Sequence, residues 1–204
     1  CARRHPVAFA DGLRERHLVV LLRRDVGDDV ATGADVDEVH ADLLEKLGFK
    51  PMSIQALVAD TAWLKSLNLE QPVGAVGQDS YFFQQMLYYA RKVSITSRAA
   101  HIYYAEISTS TVNAISPKYY RKYLPLEEDR AKWLEEVGLL RAYQEDRFTQ
   151  FLEHWYVKKL ENVDPDDLDE CIDLIEEIND IYGLSEDSNP EIQRIMDKAR
   201  ALKK

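Results

Sequence analysis

Apolar side chains recur at helical spacing most plainly over residues 164–204. Leu168, Cys171, Ile175, Ile178 and Tyr182 share one face, and Ile192, Ile195, Met196, Ala199 and Leu202 share another. Steps of three and four residues mark helices with one buried side. Asp164-Pro165-Asp166-Asp167 supplies a cap, a proline at the first helical position and acids in the first turn, and Gly183 supplies a stop. Asn189-Pro190-Glu191 repeats the start signal, and Lys203-Lys204 suits the negative end of the last helix. The pattern predicts an antiparallel helix pair joined by residues 184–188.

Upstream, Ser116-Pro117 opens a short predicted helix over Lys118–Leu124, and Pro125 opens a long one reaching about Leu160. Trp133, Val137, Leu140, Phe148, Phe151, Leu152 and Trp155 form its apolar stripe, and Gly138 is its weak point. Residues 79–116 contain neither Gly nor Pro, and Asp79 or Ser80 can cap a helix there. Phe82, Met86, Tyr89, Val93, Thr96, Ala100, Tyr103, Ile107, Ser110 and Ala114 form a heptad-like seam, half of it small or polar. The β-branched stretches 94–97 and 108–112 favour two helices or one interrupted helix, with a hairpin at 101–112 as the lesser alternative.

Nearer the N-terminus, Asp35 can cap a helix to Leu47 before Gly48, with Val36, Val39, Leu43 and Leu47 on one face. Ser53–Leu67 reads as a further helix, and the Pro and Gly residues of 70–78 make the best linker in the chain. The expected fold class is all-α (mainly α): an irregular multi-helix bundle ending in the C-terminal helix pair. Residues 52–204 form the expected helical domain. Residues 1–51 are read as a compositionally distinct N-terminal extension outside the core. The first 44 residues lack Lys, Ser, Asn, Gln, Ile, Tyr, Trp and Met, whereas all 11 tyrosines follow residue 80. The helix capped by Asp35 argues the other way, for a genuine N-terminal part of the fold.

Composition and charge sharpen this picture. At 204 residues, 46% hydrophobic and 30% charged, the chain is globular and long enough to bury a core. Its longest apolar run, Leu18–Leu22, is far below the roughly 20 residues that span a bilayer. Two cysteines make no disulfide framework, and no secretory signal is visible, so an intracellular setting, cytoplasm or organelle interior, is expected. The net charge of −10 is unevenly spread: residues 81–125 carry six bases against Glu106, and residues 126–204 carry 11 bases against 22 acids. Such asymmetry points to a charged partner or to pairing of the two regions with each other.

The sharpest chemical feature is Lys118-Tyr119-Tyr120-Arg121-Lys122-Tyr123, with Arg91 and Lys92 upstream. Basic residues interleaved with rings can hold phosphates while the rings stack on bases, or can sit at an anionic lipid surface. The alternative is structural: the tyrosines are buried and the bases pair with the acidic C-terminal helices. Residues 161–180 hold ten acids and no base, but the spacing does not fit a calcium loop, and helix-start chemistry explains the acids better. Tyr88-x-x-x-Lys92 has the spacing of a dehydrogenase Tyr/Lys pair without the glycine-rich turn such enzymes need, and Gly74-x-x-Gly77 lacks the basic flanks of an RNA clamp. The five histidines are scattered, so no metal ligand set, cofactor site or catalytic residue is assigned.

The residues therefore favour a non-enzymatic helical interaction or assembly subunit of a larger complex, with a protein as partner. Tyr and Trp suit interfaces because they combine apolar area with a polar tip. The alternatives are binding of nucleic acid or anionic lipid through residues 118–123, and an enzyme whose groups converge from distant positions.

Overall fold

The computed structural model describes residues 19–23, 35–36, 40–50, 57–90, 92–96, 115–183 and 189–203, and the protein is mainly helical. The C-terminal pair forms as its sequence signals require. Helix α8, Leu168–Ile181, buries Cys171, Ile172, Leu174, Ile175 and Ile178, and helix α9, Pro190–Arg200, buries Ile192, Ile195, Met196 and Ala199. The Asn189 side chain accepts hydrogen bonds from the Glu191 and Ile192 N–H groups, satisfying donors that a helix start leaves open. Gly183 follows α8 at φ 62°, a conformation that disfavours residues with a Cβ. The start of α8 differs from expectation. Asp164 accepts from the Asp166 N–H through its side chain and from the Asp167 N–H through its carbonyl. Residues 164–167 thereby close a turn, and the helix begins only at Leu168.

The long helix expected from Pro125 is divided. Helix α5 spans Leu124–Glu136, and Gly138, at φ 75°, breaks it at the weak point visible in the sequence. Helical structure resumes as α6, Leu140–Tyr143, and continues to Asn162 as one rod of changing pitch. Wide π turns cover Gln144–Phe148 and Leu152–Tyr156, either side of α7 at Thr149–Phe151, and a 3-10 stretch covers Val157–Asn162. Helix α4, Pro117–Arg121, packs its buried Tyr119 and Tyr120 ahead of α5, with Ser116 and Pro117 at its start as the sequence indicates.

The N-terminal half adds a small sheet that helical periodicity does not foresee. Strands β1 (Val19–Arg23), β2 (Asp35–Val36), β3 (Leu57–Ala59) and β4 (Lys92–Thr96) lie in the order β2-β4-β1-β3. β1 runs parallel to β3 and antiparallel to β4, with Leu21 opposite Val58 and Ser94. Strand β3 occupies the middle of the segment read as a single helix, and among the described residues there α2, Thr61–Ser66, is the helical part. The Asp60 side chain caps α2 by accepting from the Trp63 N–H at 2.8 Å. Helix α3, Gln78–Tyr89, ends where Ala90 turns extended, and the chain enters β4 at Lys92. The remainder of the predicted seam, and the hairpin alternative at 101–112, lie outside the described residues.

Helix α1, His40–Lys46, forms within the segment predicted as helical, although Asp35 and Val36 belong to β2. It brings Leu43, Leu44 and Phe49 into the same buried cluster as Tyr143, Phe148 and Leu134. Phe49 is fully enclosed, meets the Tyr143 ring edge-on at 5.4 Å, and its carbonyl accepts from Gln84 Nε2 at 2.9 Å.

Loss of a buried aromatic ring leaves both transfer and cavity costs, so Phe49→Ala is expected to lower stability by about 3–5 kcal/mol. A urea midpoint unchanged from wild type would show that residues 40–50 are an appendage rather than part of the cooperative core.

Candidate functional site

Helix α5 carries two charged residues that no surface explains. Glu127 is 0% exposed and Arg130 is 2% exposed. Removing two charges from water costs several kcal/mol each, so both must be compensated by direct partners. Their three-residue spacing on α5 lets Arg130 Nη1 reach both Glu127 carboxylate oxygens at 2.9 Å. The hydroxyl of Tyr156, from the second π turn, donates to Oε1 at 2.8 Å, and that of Tyr182, just past α8, donates to Oε2. Each carboxylate oxygen is thus contacted by Arg130 Nη1, which the two oxygens share, and by one tyrosine hydroxyl.

Arg130 extends the cluster to two further elements. Its Nη1 also lies 3.2 Å from the Tyr143 hydroxyl of α6, and its Nη2 donates to Ser80 Oγ of α3 at 2.9 Å. Its guanidinium carbon stands 5.9 Å from the ring centroids of Tyr81, Tyr143 and Phe151. Burial disfavours the charged guanidinium, but the adjacent Glu127 carboxylate and the surrounding tyrosines more than offset it, so its pKa rises. Tyr143, Tyr156 and Tyr182 are pushed up first by burial; the Glu127 charge adds to this in all three, while Arg130 opposes it. The Tyr156 and Tyr182 hydroxyls are therefore protonated donors to the carboxylate, and the Tyr143 hydroxyl accepts from Arg130. The arrangement suits a lock between helices better than a proton-transfer centre.

The basic and aromatic residues singled out from the sequence divide by depth. Tyr119, Tyr120 and Tyr123 are 4%, 0% and 1% exposed, so none offers an open ring face to a base. Tyr120 donates to the Tyr156 carbonyl at 3.0 Å, and the Tyr123 hydroxyl accepts from Trp155 Nε1 at 2.7 Å. Arg121 is exposed and pairs with Glu170 of α8. Lys118 is exposed, and Lys122 is half-buried with its carbonyl accepting from the Val76 N–H at 3.2 Å. Lys92 lies in β4 opposite Arg23, and Arg91 lies outside the described residues. The structural alternative thus describes this segment: its rings face inward and one base pairs with the acidic C-terminal part. Gly77, at φ 80°, permits the close approach, since a Cβ there would stand 3.0 Å from the Tyr123 ring.

Glu127 and Arg130 were not singled out by sequence reasoning. An i, i+3 Glu/Arg pair on a helix is indistinguishable from an exposed surface pair. The only hint lay in Tyr143, Tyr156 and Tyr182, each set among predicted helices. Among the described residues, no group of three or more His, Cys, Asp or Glu is placed to hold a metal ion, and no helix is long and apolar enough to cross a membrane. No protein-family model, curated protein or solved structure matches the chain.

Removing one buried charge strands the other, so Arg130→Met is expected to cost about 3–5 kcal/mol, and Glu127→Leu the same. The double substitution should be less damaging than the sum of the two singles, because an apolar pair leaves neither charge unpaired. Denaturant unfolding of the four-member cycle measures the coupling, and strictly additive losses would contradict the pairing.

The tyrosines set a second expectation. Their folded pKa values lie above the unfolded value near 10, so their stabilisation is complete below that pH and is lost as pH rises beyond it. Alkaline titration should show tyrosinate absorbance rising together with loss of near-ultraviolet dichroism. Tyrosines that ionise near pH 10 with the fold intact would contradict burial of this cluster.

Proposed function

We propose that the protein is a non-enzymatic helical interaction or assembly subunit that presents the acidic surface around α8 to a basic protein partner. The enclosure of Glu127 by Arg130, Tyr156 and Tyr182 carries this reading. The most deeply buried ionisable groups are consumed in holding helices together, which suits a scaffold whose chemistry lies at its surface.

That surface is acidic for a specific reason. Glu170, Asp173 and Glu176 are neutralised by Arg121, Lys203 and Arg200. Asp166, Asp169, Glu177 and Asp180 are exposed and form no ion pair among the described residues. Their charge remains available to a partner, and complementary charge speeds encounter and fixes register. Cys171 is a fully enclosed thiol whose pKa burial and the nearby Asp167 and Glu170 push up to about 12. Such a thiol is protected and unreactive.

Native capture of the full chain tests the proposal. The wild type should recover a stoichiometric partner whose retention falls at high salt. The variant Asp166→Asn/Asp169→Asn/Glu177→Gln/Asp180→Asn should keep the wild-type dichroism spectrum and lose that partner. A wild-type chain that elutes alone would overturn the proposal.

A further inference from the structure

The rod of residues 140–162 also carries a ladder that runs from the edge of the buried cluster, where Phe151 meets Arg130 and Trp155 donates to Tyr123, out to the surface. Arg147, Phe151, Trp155 and Lys159 follow at four-residue intervals. The Arg147 guanidinium sits 5.6 Å from the centroid of the Phe151 ring. The Phe151 and Trp155 rings stack at 5.8 Å with 12° between their planes. Lys159 Nζ completes the series 4.4 Å from the Trp155 ring and 5.1 Å from the Tyr119 ring. In a regular α-helix a four-residue spacing drifts by about 40° at each step, so four such residues would wind away from one another. The two π turns underwind the rod and keep the ladder in line, and such turns concentrate at functional positions.

Both cations are held by rings instead of carboxylates. Neither Arg147 nor Lys159 forms an ion pair among the described residues, and each is half-buried. Burial holds both pKa values down, and no carboxylate contributes at either site. Glu153, on the same rod, is taken by Arg194 at 3.0 Å. A cation seated on a ring face keeps its charge and leaves N–H groups for an anion. Trp155 stands 36% exposed between the two cations, an apolar anchor of the kind found at interface centres.

The occupant follows from spacing and charge. Arg147 and Lys159 are separated by twelve positions, no more than about 18 Å along a helical rod. On α8, Asp169 and Asp180 are exposed and unpaired among the described residues. Eleven positions apart, they lie about 16 Å from each other and within about 20° of the same face. Nucleic acid fits less well, because the ring faces are covered by the cations and by each other and leave none open for a base.

We propose that the Arg147–Phe151–Trp155–Lys159 ladder is an interaction surface for the acidic face of α8 on a second copy of this chain, with Asp169 and Asp180 meeting its two cations. This rests on the reading of the protein as an assembly subunit and adds a specific contact to it. The ladder and the acidic face are different patches, so the contact is head-to-tail and repeats from copy to copy.

Sedimentation velocity on the purified full chain tests the contact. Wild type should associate at low salt, with a dissociation constant rising about tenfold or more toward 0.5 M salt. Arg147→Glu/Lys159→Glu and Asp169→Lys/Asp180→Lys should each remain monomeric alone, and mixing the two should restore association because the charges are exchanged across the contact. The milder pair Arg147→Gln/Lys159→Gln, checked by dichroism, should weaken association about tenfold even if the reversed variant fails to fold. A wild type that stays monomeric at low salt, a mixture that does not associate, or binding of single-stranded RNA in place of self-association would each overturn the inference. If the purified chain is monomeric while native capture still recovers a partner, this contact is wrong and the broader proposal stands.

Discussion

A carboxylate sealed from water must find its donors inside the protein, and Glu127 finds them on three helical elements. This constraint organises the helical half of the protein. The donors come from Arg130 on the same helix, from Tyr156 on the rod of residues 140–162, and from Tyr182 at the end of α8. Phenylalanine at either tyrosine position would keep the ring packing but leave part of a buried charge unsolvated. Hydrophobic burial at such positions is tolerant of exact placement, whereas a hydrogen bond to a buried charge is not. The tyrosines therefore fix the separations of α5, the rod and α8 to within the tolerance of a hydrogen bond.

The unusual pitch of the rod follows from the same demand. Tyr143 must reach Arg130, and Tyr156, thirteen positions later, must reach Glu127. An uninterrupted α-helix would leave those two side chains about 140° apart around its axis. Two π turns between them take up the difference and bring both hydroxyls to one centre. They also enclose Phe148 and Leu152 completely. The ladder of Arg147, Phe151, Trp155 and Lys159 is the outward consequence of that winding. An internal electrostatic requirement thus generates a surface pattern that a regular helix of the same sequence would scatter.

Much of the helical fold was legible because its signals are local. Asn189-Pro190 starts α9, Gly183 follows α8, Ser116-Pro117 starts α4 and Gly138 interrupts the helix from α5, each through chemistry confined to a few residues. The sheet was not legible in the same way. Leu57-Val58-Ala59 is too short an apolar run to distinguish strand from helix by period, and its partner Val20-Leu21-Leu22 lies far away in sequence. The candidate site was the least legible part. Its acid and base sit on one helix turn like any exposed pair, and the tyrosines that justify their burial are 29 and 55 positions from Glu127. The basic–aromatic segment drew attention because its chemistry is contiguous. Contiguity says nothing about depth, and its three tyrosines face inward.

Charge is handled by two different rules in the two halves of this architecture. Inside, the opposite charges of Glu127 and Arg130 are paired directly, since an unmet charge in a low-dielectric core would cost more than the fold can spare. Outside, the matching is left incomplete on both signs: among the described residues Asp169 and Asp180 form no ion pair, and neither do Arg147 and Lys159. Random surface mixing would let long, flexible side chains of opposite sign find each other, as Arg194, Arg200 and Lys203 do with Glu153, Glu191, Glu176 and Asp173. Arg147 and Lys159 instead rest on the Phe151, Trp155 and Tyr119 rings. A fold that seats its unmatched cations on aromatic rings, while leaving a matching acidic spacing elsewhere on its surface, retains an electrostatic demand that an intermolecular contact can meet.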